Sequence, residues 1–362
     1  MKTRIAILAT MVLASFVLFS RAARAADEGS IEDKSSSMYM MERVETIVYG
    51  EPNKGGLIDR LNSVETELFG RGLPGSISER HSAILNFLET GTSEQPSMLF
   101  KLGVAEWIVG HTSQLRKATL TRVENLETEL DGAMQYGKPL AMRVERLLAS
   151  LVADPVTFQD VILPTATVLR VQFLDELGPA NTKKGDTVNL ALTNDLLVGN
   201  VLVAPKGSLI NTTVSSVRQP RMFGVPSNIS FDFKSLIPLG PQRPVVAMGE
   251  ASKKATEDAQ KGRDRGEGAV IGAAGASLGG ALVFGPVGLL TGVFVRGNAI
   301  KIPKGTIMFL ETSGDIRVSG YPVPESLRVD PNATVRESIL QSAPTRTGDR
   351  ETIVLPAEQR IN

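Results

Sequence analysis

The chain contains no cysteine among its 362 residues. Disulfides therefore cannot cross-link the fold, a lipid cannot be attached to an N-terminal cysteine, and thiol chemistry is excluded. Histidine is nearly as scarce, with two residues, whereas common zinc sites draw on several His or Cys ligands. The composition thus predicts no metal site and no cofactor, and a core that must hold itself together.

Aromatic residues and surplus positive charge are lacking as well. The chain has one tryptophan and four tyrosines, and its 39 basic residues are balanced by 39 acidic ones. Nucleic-acid binding needs Lys and Arg in excess on one face, and a surface that stacks bases or sugars needs aromatic rings. Both shortages argue against nucleic acid as a partner.

The first 25 residues have the order of a signal peptide. Lys2 and Arg4 precede an apolar stretch over residues 5–20, and Ala23-Arg24-Ala25 follows it as an Ala-x-Ala cleavage site. This stretch of sixteen residues is short of the ~20 that a membrane-spanning helix needs. We expect cleavage after Ala25 and an exported protein, either periplasmic or associated with the outer membrane. The mature chain then carries a net charge of −4.

After a linker over residues 26–39, residues 40–155 repeat a short helical pattern. Residues 44–50 are echoed twenty residues later by residues 64–70, and residues 60–70 recur 62 residues further on as residues 122–132. Apolar residues fall at helical spacing within each unit, and the glycine at its end suits a helix C-cap. Helices of about three turns are too short to be stable alone, so we expect them to stack. The pattern resembles short helical repeats of exported bacterial proteins, and an ordinary helical bundle is the alternative.

From residue 160 to residue 320 the pattern changes to the alternation of half-buried strands, as in residues 168–174 and 229–234. A turn phrase recurs before the strands as Pro205-Lys206-Gly207 and Pro303-Lys304-Gly305, and as Pro164-Thr165-Ala166 without the glycine. The fold class is therefore α+β. We predict short helical repeats followed by a small antiparallel, barrel-like β domain.

Nearly one hundred residues separate the last two copies of the phrase, and residues 262–297 are read as an insertion there. Residues 268–295 carry no charge, and small residues recur at every fourth position, broken only by Phe284, which places them on one face of a helix. Such a face lets another helix approach closely, and lipid or helix contact must offset the ~1 kcal/mol that each glycine costs relative to alanine. We expect a glycine-zipper helix or helical hairpin, and a buried hairpin in a soluble domain is the alternative. The residues predicted to mediate membrane contact or self-association are Gly268, Gly272, Gly275, Ala276, Gly279, Gly280, Gly288 and Gly292.

This order of elements resembles a known family. A β domain with the Pro-Lys-Gly phrase, interrupted by a helical insertion and resumed at a second such phrase, is similar to the C-terminal barrel of the outer-membrane channel component of type IV secretion and conjugation systems. It is also similar to exported proteins in which a glycine zipper splits the β unit. The resemblance covers about residues 160–320. It implies an oligomeric ring whose inserted helices cross the outer membrane, although this chain shows no cytoplasmic segment or inner-membrane helix of that component.

Two catalytic patterns occur in unsuitable contexts. Residues 275–279 spell a nucleophile elbow around Ser277, but that chemistry needs a histidine later in the chain, and both His81 and His111 precede it. Residues 70–75 match a dinucleotide-binding loop, but they follow a helical unit rather than a strand. His81 takes the place of Leu61 in the preceding unit, which favours a packed or surface residue over a metal ligand.

Together these features predict a non-enzymatic envelope protein with a structural or interaction role. The expected partners are further copies of the chain, a membrane or other envelope proteins, with peptidoglycan as an additional candidate. Two alternatives stay open: a carboxylate-dependent enzyme that acts on cell-wall glycan, since Asp and Glu are plentiful, and a soluble periplasmic binding module. Residues 324–362 are polar and are expected to form a flexible tail.

Overall fold

The structure is a computed structural model that describes residues 36–218, 228–264, 292–293 and 302–328. These residues form seven α-helices and two antiparallel sheets, so the predicted α+β class is confirmed. The chain divides into two compact units, Met1–Pro322 and Val323–Asn362. All of the helices and strands named below belong to the first unit, and the described part of the second contains a 3₁₀ turn, Glu325–Leu327.

Six helices precede the β strands. Helix α3 continues into a π-helical turn, Asn86–Thr90. Helices α1, α2 and α5 end, as predicted, at glycines with positive φ, which a side chain would strain. The bounds are α1 (Ser37–Tyr49), α2 (Leu57–Phe69), α3 (Ile77–Leu85), α4 (Met98–Gly110), α5 (Thr119–Asp131) and α6 (Leu140–Leu151).

The helices pack in a way that makes α4 central. Helix α1 contacts α2, α3 and α5, while α4 contacts α5, α6 and the π-helical turn. Five helices bury one apolar stripe, but α4 is apolar on nearly all sides and most of its residues are buried. A helix that is hydrophobic all round must be covered all round. Helix α4 is accordingly covered by helices on one side and by the β part of the chain on another, where Leu239 lies against Gly103.

Eleven strands follow within the described residues. Their bounds are β1 (Gln159–Leu163), β2 (Val168–Phe173), β3 (Thr187–Leu192), β4 (Leu196–Val198), β5 (Val201–Ala204), β6 (Leu209–Arg218), β7 (Asn228–Leu236), β8 (Val246–Ala247), β9 (Gly292–Val293), β10 (Ile307–Thr312) and β11 (Ile316–Pro322). Seven form a sheet in the order β8-β10-β2-β3-β6-β7-β9, and four form a second sheet in the order β1-β11-β5-β4. A seventh helix, α7 (Glu250–Asp264), lies between β8 and β9 in the chain.

The seven-stranded sheet is nearly closed into a barrel. Strand β8 pairs with β10. Val245, the residue before β8, forms a bridge with Ser235 of β7. The interior is filled by alternating residues of the strands, among them Leu190 and the ring pair Phe173 and Phe231, whose centroids lie 5.5 Å apart. The barrel-like domain and its alternation are therefore as predicted.

The third residue of the recurring turn phrase has a left-handed backbone at all three places. Gly207 and Gly305 have φ values of 86° and 85°, and Ala166 takes the same left-handed conformation at 57°. The backbone N–H groups of Ser208 and Thr306 donate to the carbonyls of the prolines three residues earlier, at 3.0 and 3.1 Å. Strands β2, β6 and β10 each begin one residue after their turn.

Candidate functional site

The predicted site lies on a segment that the barrel does not need for its own closure. Strands β8 and β10 are direct neighbours, with Val246 opposite Thr312 and Ala247 opposite Glu311. Residues 248–306 separate them in the chain. The chain therefore leaves the barrel after one strand and returns as the adjacent strand, which is where a long insertion disturbs a sheet least.

The start of this segment is fastened to the barrel by α7, which packs on β10 and β2. The N–H of Ser252, in the first turn of the helix, donates to Glu311 Oε2 at 2.6 Å, and the Ser252 hydroxyl accepts from the N–H of Gly249 at 2.8 Å. A Cβ at Gly249 would collide with the Glu311 carboxylate. The helix therefore begins at a fixed point on β10.

A second attachment lies near the end of the segment. Strand β9 pairs with β7, with Gly292 opposite Ser230 and Val293 opposite Ile229. Gly292 is thus extended, not helical as predicted, in a stretch where the β-branched Val293 favours a strand. The other predicted zipper residues (Gly268, Gly272, Gly275, Ala276, Gly279, Gly280 and Gly288), the leader residues Ala23 and Ala25, Ser277 and residues 329–362 lie outside the described residues.

Within the described ranges, no helix combines the length and the apolarity that a membrane span requires. The zipper therefore stays a prediction, and what the structure contributes is the position of its two attachments on the barrel.

Four ion pairs join consecutive helices of the N-terminal part, and in three of them both partners are buried. In each, an arginine donates through Nε and Nη2 to both oxygens of a glutamate on the preceding helix, at 2.5–3.0 Å. Each glutamate also accepts the backbone N–H of the residue eight positions later, at 2.9–3.1 Å. One carboxylate thus holds its own loop and the next helix. The pairs are Glu45–Arg60, Glu65–Arg80, Glu106–Arg122 and Glu127–Arg143.

In two of the pairs, Glu65–Arg80 and Glu127–Arg143, the hydrogen bonds favour the charged forms of both partners. Burial alone would raise the pKa values of Glu65 and Glu127, but the hydrogen bonds from Arg80 and Arg143 and from the loop N–H groups outweigh it and hold both pKa values below the usual range. The same hydrogen bonds raise the pKa values of Arg80 and Arg143. The lone pairs of these carboxylates are used in structural contacts, so they are poor candidates for general acid or base chemistry.

The two histidines do not form a site together with acidic residues. His81 is 1% exposed in the helical core, as a packed residue, and its Nε2 has no hydrogen-bond partner in the described part of the chain. Burial, followed by the charge of Arg80, lowers its pKa. His111 ends α4 with a positive φ and packs on Trp107. Among the described residues, no group of three or more His, Asp or Glu could hold a metal ion.

A polar junction fixes the helices to the barrel. Trp107 Nε1 donates to Asp195 Oδ2 at 2.8 Å, and Asp195 Oδ1 accepts the N–H of Lys206 at 2.7 Å. The Lys206 carbonyl in turn accepts the N–H of Ser113 at 2.7 Å. A Cβ at Gly207 would lie 2.6 Å from the Ser113 carbonyl oxygen, so the middle copy of the turn phrase is also a packing surface.

Sequence reasoning missed the ion pairs and the junction. The pairs had a signal, because an arginine and a glutamate five residues apart occur in both of the most similar units, at Arg60 and Glu65 and again at Arg122 and Glu127. The junction had none, since Trp107 and Asp195 are 88 residues apart and nothing in their spacing connects them.

Comparison with known proteins adds no relative. No protein-family model matches the chain, and no curated protein matches it. The function is therefore inferred from the sequence patterns and the contacts described above.

Proposed function

We propose that the protein is a non-enzymatic component of a bacterial cell envelope that presents residues 268–291 to the outer membrane or to further copies of itself. The observation that carries this proposal is the attachment of the segment to the barrel. It departs from β8, is fastened at α7, returns through β9 on β7, and resumes at β10 beside its point of departure. A barrel that closes around an insertion is suited to presenting it.

The composition of the segment supports a surrounding of lipid or of other helices. Its residues are uncharged, and glycine or alanine recurs at every fourth position on a predicted helix, with Phe284 as the one exception in that row. In water, so many glycines weaken a helix, whereas close helix contact or lipid offsets that cost. The predicted leader, with its expected cleavage site after Ala25, supports a location of the segment in the envelope.

The order of the ion-pair residues in the helical part supports the proposed repeats, with three helices as the repeating unit. In residues 37–90 the first helix supplies only a glutamate, the second an arginine and a glutamate, and the third only an arginine. Residues 98–151 follow the same order. At the position where the next glutamate would stand, both third helices carry leucine, Leu85 and Leu148. We propose that a three-helix unit was duplicated and that it serves as a rigid contact surface for envelope partners.

The resemblance to the secretion-channel barrel supports assembly into an oligomer. In that family the insertion of one subunit lies beside those of its neighbours, and a glycine row is suited to such contacts. The expected form of this protein is thus a homo-oligomer at the outer membrane.

Fractionation of cells that express the chain with its own leader tests the proposal. We expect the protein in the membrane fraction, released only by detergent, with a mass in light scattering that exceeds one chain. Changing Gly272→Leu and Gly280→Leu together should reduce that mass. The matched control, Ala273→Leu with Ala281→Leu, adds side-chain volume outside both glycine rows and should leave the mass unchanged.

Two results would contradict the proposal. One is a protein that is soluble without detergent and whose mass is the same with and without the glycine substitutions. The other concerns the enzymatic alternative: purified protein that releases soluble fragments from peptidoglycan would show that the chain is an enzyme.

A further inference from the structure

One core position of the helical part holds a histidine in α3 and an apolar residue in each of the other five helices. The position lies four residues before the glutamate of each ion pair, or before the leucine that replaces it in α3 and α6. All six side chains at this position are at most 1% exposed. They are Met41, Leu61, His81, Leu102, Val123 and Val144. Helix α3 therefore buries an imidazole where the same packing elsewhere uses a hydrocarbon.

The surroundings of His81 do not compensate its polar ring. Helix α3 packs on α1 and α2 and continues into the π-helical turn. The buried Nε2 has no hydrogen-bond partner in these or the other described elements. A buried polar atom without a partner is unfavourable, and a buried charge without a partner is more so. A proton on this ring is therefore far costlier in the packed core than in water.

The charged side chains around α3 are already engaged or exposed. Glu65 attracts a proton on His81 and Arg80 repels it, but these two residues bind each other. Glu45 binds Arg60, Arg43 binds Glu89, and Glu79 binds Ser76, while Glu42 and Asp59 are exposed; Glu67 acts on Tyr49 and Arg143, and Arg243 of the β part lies near Arg43 and Glu89. A protonated His81 would thus have to take a carboxylate from an existing ion pair.

We propose that the first three-helix unit, residues 37–90, is an acid-sensitive element: protonation of His81 opens it, while the second unit and the barrel stay closed. The second unit has Val144 at the equivalent position. The other histidine of the chain, His111, is exposed at the end of α4, so a charge on it requires no opening. Opening would free apolar residues such as Val44 and Ile84 for contact with a partner. The inference concerns the unit itself and does not rest on the proposed function.

The direction of the effect follows from proton linkage. Burial, followed by the charge of Arg80, lowers the pKa of His81 in the closed unit, whereas the open unit has the ordinary value of about 6.5. Below that pH the open unit binds a proton that the closed unit does not, so stability that is present above about pH 6.5 is lost as the pH falls. For one proton, the open population rises by up to about tenfold per pH unit. Ordinary carboxylates take up protons near about pH 4, so the range of about pH 7.5 to 5.5 isolates the histidine.

Amide hydrogen exchange of the purified full chain tests the inference, with rates expressed as protection factors to remove the intrinsic effect of pH. Between about pH 7.5 and 5.5, protection of residues 37–90 should fall by several-fold to about tenfold. Protection of residues 98–151 and of the barrel should not change. His81→Leu, which copies Leu61, should abolish the response, and His81→Met, which copies Met41, should do the same. The matched control is His111→Asn, which tolerates the left-handed backbone and should respond as the unmutated chain does.

The imidazole NMR signals of His81 in the unmutated chain give a second measurement that needs no variant. While the unit is closed, they should remain those of a neutral ring to a pH below about 6.5. The inference would be overturned by a ring that titrates at or above that pH, by unchanged protection of residues 37–90, by an equal loss of protection in His81→Leu, or by an equal loss in the second unit and the barrel. None of these results depends on the outcome of the fractionation experiment.

Discussion

The helical part and the barrel bury different kinds of side chain. Among the described residues, every buried side chain with a formal charge lies in the helical part, and the buried polar residues of the β part are Ser and Thr. The helices are held together by bidentate ion pairs as well as by an apolar core. The barrel interior is apolar, with Phe173, Leu190 and Phe231 at its centre.

The difference follows from how the backbone hydrogen bonds of strands and of short helices are completed. Strands complete one another's hydrogen bonds, so a barrel needs only the right apolar residue at every second position. Helices of nine to thirteen residues satisfy their own interiors but leave groups at their ends, and they are marginal alone. In this protein one glutamate per helix pair binds a loop N–H and an arginine of the next helix, and thereby fixes how the two helices are placed.

The largest expected effect comes from breaking one of these pairs. Glu127→Leu leaves Arg143, which is 4% exposed, as a buried charge without its partner. We expect a loss of about 3–5 kcal/mol in the free energy of unfolding, measured by urea unfolding followed by helical circular dichroism. Leu148 shows that leucine is accepted at this position where no arginine follows.

The double change Glu127→Leu with Arg143→Met replaces both partners of the ion pair, so neither charge is left buried alone. Because an apolar pair needs no compensation, most of the lost stability should return. Glu129→Leu on the exposed side of the same helix should change stability by no more than about 0.5 kcal/mol. Equal losses in the single and the double variant would show that the loop contact to Gln135, rather than the buried charge, carries the effect.

The same contrast explains how much could be predicted from the sequence. Helical units could be predicted because similar letters recur, as in residues 60–70 and 122–132. The barrel requires only alternation, which predicts strands but not their neighbours. That β1 pairs with β11 and that β8 lies beside β10 depends on contacts between residues far apart in the chain.

The candidate site also shows which structural features could be predicted from the sequence and which could not. The distance between two copies of one turn phrase predicted an insertion, and the strands that flank residues 248–306 are direct neighbours in the sheet. The extended backbone at Gly292 was missed, because a glycine that fits a four-residue row carries no sign of a partner strand such as β7.

A smaller effect is expected where the two parts meet. Gly207 and Gly305 occupy the same position in two copies of the turn phrase, with φ values of 86° and 85°. A Cβ at Gly207 would collide with the Ser113 carbonyl, whereas a Cβ at Gly305 would have nothing within 4 Å. Gly305→Ala should therefore cost about 1 kcal/mol for the left-handed backbone alone. Gly207→Ala should cost a further 1–3 kcal/mol or so, because the junction must shift.

Tryptophan fluorescence provides a local readout of that shift. The single tryptophan, Trp107, donates to Asp195 in the same junction, so its emission should change in Gly207→Ala and not in Gly305→Ala. Equal costs and unchanged emission in both variants would mean that the helices and the barrel do not depend on each other at this turn.

The smallest expected effect has opposite signs in the two parts. Ala166 holds a φ of 57° on an exposed turn of the barrel, a conformation that costs a non-glycine residue about 1–2 kcal/mol. Ala166→Gly removes that strain but gives the unfolded chain more freedom, worth about 0.4–1 kcal/mol, so a net gain of about 0.5–1 kcal/mol should appear in urea unfolding. In the exposed helical position Ala149 the same change should cost about 1 kcal/mol. A loss at Ala166 as large as that at Ala149 would show that the contact from its N–H to the Thr312 carbonyl, rather than side-chain strain, decides the conformation of the turn.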